Sequence, residues 1–374
     1  MPSLAPSPAP ATPGVMPAAW LRDNCPCAEC RDPVSGQRLL DIASLPADLA
    51  VAAVTASPDG IEVLFRPDGH RAVFDRAWLE RCSRGPDPRH GDDPRTEDAK
   101  LLWPAGGAQD EPTPASWPRY LADASYRRAC LQGLLREGLL LLAGVPEEPG
   151  AVLDVAASMG YVRETNYGRL FDVRAEPSAA NLACTRRPIA PHTDNPYRDP
   201  VPTVQLLHCL HNSAEGGDSL FVDGFRAAAA LREQQPAAFA TLAVTPVTFG
   251  YRAPGTWLRA TKPMITLDPR GRIREIRFNS RALQPVRLRP AQAAAFYAAY
   301  RAFAEVIGNP AQARAIRLAP GDCAVFDNTR VLHARTGFGA AGRRHLQGCY
   351  ADLDGIESAV AAAGEWPGTA GGRA

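Results

Sequence analysis

A chain of 374 residues, 45% of them hydrophobic, can bury at least one large core, and its length suggests two domains. The formal net charge of +1 supplies no basic field to drive counterion release, which excludes nucleic acid and anionic membrane as main partners and leaves a small molecule. Nine cysteines, odd in number and unevenly spread, do not form a secreted disulfide framework, so the expectation is a cytoplasmic protein with reduced thiols.

No apolar run reaches membrane-spanning length, and residues 1–19 lack the basic start and apolar stretch of a signal peptide; they read as a disordered tail. From 20 to 95, short strand-like stretches and turns surround WLRDNCPCAECRDP, whose Cys25, Cys27 and Cys30 bring three thiols close together. Such a triplet in a reduced compartment ligates a soft metal, zinc first, and a closed tetrahedral site needs one more donor. His70, in the turn between the strand-like IEVLF and RAVF, is best placed to supply it, with His90 in a charged loop as the fallback. A closed site stabilises a small domain and does no chemistry. The polar run around RGPDPRHGDDPR ends this domain, and residues 96–118 read as a linker.

Residues 119–360 open with SYRRACLQGLLREGLLLLAG, where leucines recur at helical spacing and Gly144 can stop the run. Strand-like segments follow, among them TVQLLHCL, DSLFVDG, AVTPVTFGYR, RIREIRFN, AIRLAPGDCAVFD and RRHLQGCYADLD, interrupted by two helical inserts, FRAAAALREQQPAAFATLA and PAQAAAFYAAYRAFAEVIG. Many strands and few helices predict a mainly β fold, a barrel or sandwich with flanking helices, rather than a doubly wound sheet. Residues 361–374 read as a flexible tail.

Within this larger part, PHTDNPYRDP holds His192 and Asp194, FDNTRVLHART holds His333, and Arg344 follows. Two imidazoles and one carboxylate form the facial triad of non-heme Fe(II) oxygenases, which leaves positions open for a cosubstrate and O2. On a strand, residues i and i+2 point the same way, so His-x-Asp can present both donors to one ion. A keto acid chelates such an ion through its 2-oxo and 1-carboxylate oxygens, and a guanidinium fork is the natural clamp for its far carboxylate. Arg344 fits that clamp, with Arg330, Arg335 and Arg343 as nearby competitors.

Together, WLRDNCPCAEC, TNYGRLFDV, PHTDNPYRDPVPTVQLLHCL, GGDSLFVDGF, FDNTRVLHAR and RRHLQGCYADLDG resemble the γ-butyrobetaine hydroxylase family, Fe(II)/2-oxoglutarate-dependent dioxygenases related to taurine dioxygenase. The resemblance implies a double-stranded β-helix (jelly-roll) catalytic domain preceded by a small zinc-binding domain, and a homodimer. By position, His192, Asp194 and His333 match the iron ligands, Cys25, Cys27, Cys30 and His70 the zinc ligands, and Arg344 the arginine that holds 2-oxoglutarate. Ser219 matches a hydroxyl donor to the same carboxylate. The family's aromatic cage for a trimethylammonium group matches Tyr167, Phe171 and Tyr350, where π faces attract the cation. Phe171 replaces the tryptophan of the animal enzymes and Cys184 a further tyrosine. The resemblance places an anion site near Asn181 and Asn279.

The expected activity is hydroxylation of a small trimethylammonium compound, γ-butyrobetaine to carnitine. The Arg186–Arg187 pair before the iron motif reads as a solvated loop pair or as a preference for a more highly charged anion. The second reading makes 2-(trimethylamino)ethylphosphonate the alternative substrate. An alternative of another class is a degenerate barrel kept for betaine binding or dimerisation, which would have no need of an open metal site.

Overall fold

The computed structural model describes residues 16–58, 60–83, 94–104, 112–174, 185–339 and 341–362. Of the residues singled out above, His90, Asn181 and Cys184 lie outside these, as do 1–15 and 363–374 of the two expected tails. The described residues form two compact units, 16–83 in the smaller and 94–362 in the larger.

In the smaller unit a short helix, α1 (Ala18–Asp23), begins inside the expected tail. It leads into the cysteine loop and then an antiparallel sheet of β1 (Ala50–Ser57), β2 (Gly60–Arg66) and β3 (Arg71–Phe74), closed by helix α2 (Arg76–Ser83). Leu21, Val63, Phe65, Ala72 and Phe74 make a core too small to carry such a unit by itself. The cysteine cluster lies against it. His70 Nε2 stands 3.2, 3.6 and 3.7 Å from the Sγ atoms of Cys25, Cys27 and Cys30, close to the edge lengths of a tetrahedron built on metal bonds of about 2.0–2.3 Å. Buried Arg22 donates to Cys30 Sγ at 2.8 Å and to Asp68 at 3.3 Å, setting a fixed cation beside three thiolates whose charge one divalent ion does not cancel. These donors fit zinc, and the closed set leaves no open position for a substrate.

The larger unit is a jelly roll of two facing sheets. One has six strands in the order β4 (Ala115–Ser116), β5 (Leu139–Ala143), β15 (Cys323–Asp327), β8 (Val204–Asn212), β17 (Arg344–Ala351) and β6 (Phe171–Arg174). The other has four, in the order β14 (Ala313–Ile316), β9 (Ser219–Asp223), β16 (Val331–Arg335) and β7 (Ile189–His192). Leu139, Leu141, Leu207, Phe221, Phe326 and Leu346 fill the space between them. Helices α3 (Trp117–Ala122), α4 (Ala124–Glu137), α5 (Ala151–Ala157) and α9 (Leu353–Ala362) contribute to the core on the outer face of the larger sheet. A third core joins α6 (Gly224–Gln234), α7 (Pro236–Val244) and α8 (Pro290–Gly308) to two hairpins, β10 (Val247–Ala253) with β11 (Thr256–Lys262) and β12 (Ile265–Leu267) with β13 (Ile273–Ile276).

Three sequence expectations change. The leucine-rich helix stops at Gly138, not Gly144, because Gly138 takes the left-handed cap (φ 80°) and Leu139–Ala143 become a buried strand paired with β15. The first helical insert splits in two at Pro236, which starts α7. The described ends of the stretch expected to link the domains, 96–104 and 112–118, pack into the larger unit: Trp103 and Trp117 are buried in its cores, and Glu97 receives a two-pronged hydrogen bond from Arg232 at 2.8 Å.

Arg330, one of the competitors for the carboxylate clamp, is fully buried and spoken for. It donates to both oxygens of Asp223 (3.0 and 2.7 Å) and to the carbonyls of Arg136 and Leu101. Asp223 also caps α6 through the amides of Phe225 and Arg226. Asp223→Ala therefore leaves a buried guanidinium without its counter-charge and a helix without its cap, and chemical denaturation should show a loss of about 3–5 kcal/mol. In the smaller unit, Cys27→Ser or removal of zinc by a strong chelator should lower folded yield and melt this unit first, because the metal carries much of its folding energy. Metal analysis should find one zinc per wild-type chain; a zinc-free protein with the smaller unit fully folded would contradict the assignment.

Candidate metal centre and its cavity

β7 and β16 run antiparallel with His192 directly opposite His333, so both imidazoles project from one face and their ring centroids lie 4.2 Å apart. β7 ends at His192. Asp194 stands beyond the strand, not on it as expected for His-x-Asp, and a different device holds it: Asn328 accepts from the Asp194 amide at 2.8 Å and donates to its carbonyl at 3.0 Å. The next residue, Asn195, takes the left-handed conformation (φ 54°) that turns the chain away.

The Asp194 carboxylate lies 3.4 Å from His192 Nε2 and 3.9 Å from His333 Nε2, and the three donor groups form one compact set. Adjacent donors on one divalent ion, with bonds of about 2.1 Å, sit about 3 Å apart, so these residues fit a metal with little movement. The His192 Nδ1–H donates to the carbonyl of Ala190 at 2.9 Å, which leaves the Nε2 lone pair for the ion. Burial, reinforced by His192, lowers the His333 pKa to about 3, so its ring is neutral and able to ligate. Burial opposes charge on Asp194, but contacts with His192, His333 and Tyr350 outweigh it and keep the carboxyl well below the usual carboxylate range. The donor set of two imidazoles and one carboxylate suits Fe(II) with positions left open.

The triad opens into a cavity of about 480 Å³, the size of a small-molecule site. Arg344 and Ser219 line it, and Arg344 Nη2 donates to Ser219 Oγ at 3.3 Å. Burial brings the Arg344 pKa down to about 10, so the guanidinium stays charged at neutral pH. Its Nε is buried with no partner among the described residues, an orphaned donor that a carboxylate would satisfy. The competitors separate cleanly: Arg330 is consumed by Asp223, Arg343 is exposed, and Arg335 reaches the cavity wall but donates to the carbonyls of Thr185 and Arg187.

Tyr167, Phe171 and Tyr350 come together as expected, with centroids 6.1 Å apart for Tyr167–Phe171 and 5.2 Å for Phe171–Tyr350. Gly348 makes this possible: a Cβ there would stand 2.4 Å from Cζ of Phe171, which lies on the bare strand. Two further tyrosines complete the aromatic wall. Tyr251 is 5.7 Å from Tyr167 and 5.1 Å from Tyr197, and the Tyr167 and Tyr197 hydroxyls share a 3.1 Å hydrogen bond. Asn279 lines the cavity too, but its amide is engaged: it donates to the Thr193 carbonyl and accepts from the amides of Arg281 and Ala282. Arg281, exposed on the cavity wall, adds a cation.

Sequence reasoning missed Gln205, Asn328, Tyr197, Tyr251 and Arg281. Asn328 and Tyr197 fall inside quoted motifs, beside FD in FDNTR and five residues past His192, so both were within reach. Tyr251 arrives on a hairpin inserted far from every motif and had no local signal.

Residues 104–350 match the model of the taurine catabolism dioxygenase TauD, TfdA family, and residues 12–80 match that of the γ-butyrobetaine hydroxylase-like N-terminal domain. γ-Butyrobetaine dioxygenase of Pseudomonas sp. (strain AK-1) is 38% identical over 91% of this chain and 88% of that protein. The Homo sapiens γ-butyrobetaine dioxygenase is 30% identical over 91% of this chain and 89% of its own length. A trimethyllysine dioxygenase of Meyerozyma guilliermondii is 28% identical, covering 91% and 88%. With an open His-Asp-His centre in a jelly roll and a Cys3His site in its N-terminal unit, the chain belongs to the TauD/TfdA family of Fe(II)/2-oxoglutarate-dependent dioxygenases, in the group of the γ-butyrobetaine dioxygenases.

Proposed function

We propose that the protein hydroxylates γ-butyrobetaine to carnitine, with His192, Asp194 and His333 holding Fe(II), and Arg344 and Ser219 holding the far carboxylate of 2-oxoglutarate. The observation that carries the substrate reading is the wall of five aromatic rings beside the triad, Tyr167, Phe171, Tyr197, Tyr251 and Tyr350. A quaternary ammonium ion has no hydrogen to donate, so π faces are its natural partners. Relatives are named for γ-butyrobetaine and trimethyllysine, compounds that both carry a trimethylammonium group, which supports the same reading.

His192, Asp194 and His333 would hold Fe(II), which would supply the O2 chemistry that couples oxidative decarboxylation of 2-oxoglutarate to succinate and CO2 with hydroxylation of a substrate C–H bond. The protein's part is positioning. The aromatic wall fixes the cationic end, the Arg344 guanidinium fixes the cosubstrate, and the Arg281 cation on the cavity wall gives the substrate's anionic end a partner, in place of the engaged amide of Asn279. That guanidinium also suits a tetrahedral oxyanion, which keeps 2-(trimethylamino)ethylphosphonate as the second reading. Cytoplasmic placement and a homodimer are part of the proposal, resting on cysteine usage and on the family resemblance. No helix among the described residues is long and apolar enough to cross a membrane.

The test is substrate-dependent succinate release with γ-butyrobetaine, trimethyllysine and the phosphonate betaine side by side. The highest kcat/KM is expected with γ-butyrobetaine; a clear preference for the phosphonate would move the assignment to the second reading. His192→Ala and Asp194→Ala should abolish turnover and Fe(II)-dependent 2-oxoglutarate binding while zinc content stays at the wild-type level. Tyr251→Ala should raise KM for γ-butyrobetaine by about threefold to thirtyfold with a smaller effect on kcat, since each aromatic face is worth roughly 0.5–2 kcal/mol to a cation. An unchanged KM would remove Tyr251 from the cage.

A further inference from the structure

Asp194 is the one member of the triad that no strand positions, and its carboxylate is gripped on one side only. Gln205 Nε2 and the Tyr350 hydroxyl both donate to Oδ2, at 2.8 and 2.9 Å. Oδ1 accepts no hydrogen bond among the described residues and has the lone-pair-bearing His192 Nε2 3.4 Å away, while the nearer oxygen to His333 Nε2 is Oδ2, at 3.9 Å. Gln205 and Tyr350 are register partners on β8 and β17, and both are buried, so water does not compete for either bond.

We infer that Gln205 and Tyr350 are positioning residues that make Asp194 a one-oxygen ligand by occupying Oδ2, and that Tyr350 does this with the hydroxyl of the same ring whose face meets the substrate cation. The reason lies in the count of positions around the ion. Three protein donors on an ion that accepts six would leave three positions, which a chelating keto acid and O2 would need. A carboxylate bound through both oxygens would take one of these. Two hydrogen bonds direct the lone pairs of Oδ2 toward Nε2–H and O–H and leave Oδ1 as the better donor. Asn328 completes the arrangement by fixing the main chain of Asp194, while Gln205 and Tyr350 hold the carboxylate itself. The hydroxyl half of this inference is independent of the substrate; the ring half rests on the γ-butyrobetaine reading above.

Because hydroxyl and ring face serve different molecules, they can be separated. Anaerobic equilibrium dialysis against Fe(II) alone, on wild type, Gln205→Met, Gln205→Asn and Tyr350→Phe, reads the grip on Oδ2. Each substitution should raise the Fe(II) dissociation constant about tenfold to a hundredfold, with zinc content and melting midpoint held near wild type. Gln205→Asn withdraws the donor by one methylene and keeps a polar side chain, so it serves should the methionine variant fold poorly. In turnover assays Tyr350→Phe should keep the wild-type preference for a trimethylammonium over the matching primary amine, whereas Tyr350→Leu should lose it. Wild-type Fe(II) affinity in both Gln205→Asn and Tyr350→Phe would overturn the positioning role. Loss of the methylation preference in Tyr350→Phe would overturn the division of labour within the ring. A wild-type enzyme indifferent to methylation would sink the substrate reading and the ring half together, and the Fe(II) titration would still decide the hydroxyl half.

Discussion

His192 and His333 face one another across the β7–β16 pair, and a slip of one residue in that register would turn one imidazole to the other side of the sheet. The register is not left to these two strands. β16 also pairs along its whole length with β9, which sets Arg335 opposite Ser219 and Val331 opposite Asp223. Arg330, just before β16, ties that end of the strand to Asp223 and to two carbonyls outside the sheet. The buried ion pair and the metal centre are thus two ends of one problem. The first pins the strand that the second requires to be in register.

Strand alternation does the rest along β17. Arg344, Leu346, Gly348 and Tyr350 occupy every second position and face the cavity side, with Arg344 at one end and Tyr350 about 20 Å along at the other. One strand therefore carries the guanidinium proposed for the cosubstrate and one ring, Tyr350, of the aromatic wall proposed for the substrate, with the metal-site histidines on the opposite sheet. Leu346 packs into the core between the sheets, and Gly348 yields its place to the ring of Phe171. Rearranging this strand would disturb both binding ends together, whereas Tyr251 reaches the same wall on a separate hairpin.

The parts of this site legible in the sequence are those whose chemistry needs a particular residue type in a short motif. His-x-Asp, the later histidine, the arginine on the following strand and the cysteine triplet were all identifiable, because ligation demands side chains that few other roles would place together. The sheet-rich architecture was legible from turns and period-two segments. Helix boundaries were less so: LLLLA continues a helical leucine pattern, and only the left-handed turn at Gly138 and the partner strand β15 make it β. Gln205 was hidden in an apolar strand, where its role depends on a carboxylate eleven residues upstream in sequence and on Tyr350 in register beside it. Such cross-strand arrangements leave no local periodicity to detect.

Two buried arginines show how the structure separates support from function. Arg330 and Arg344 lie fourteen residues apart, both nearly inaccessible; the sequence puts Arg344 first and Arg330 among its competitors, and the contacts show what each one does. Each nitrogen of the Arg330 fork meets an acceptor and Asp223 supplies the counter-charge, so this guanidinium serves the fold. Among the described residues, Arg344 donates to the Ser219 hydroxyl and keeps an unmatched Nε beside an open cavity. Burying a cation in that state costs free energy that the fold does not recover from its own contacts. The deficit is what a dianionic cosubstrate would remove on binding, and its location sets the direction from which that molecule must reach the metal.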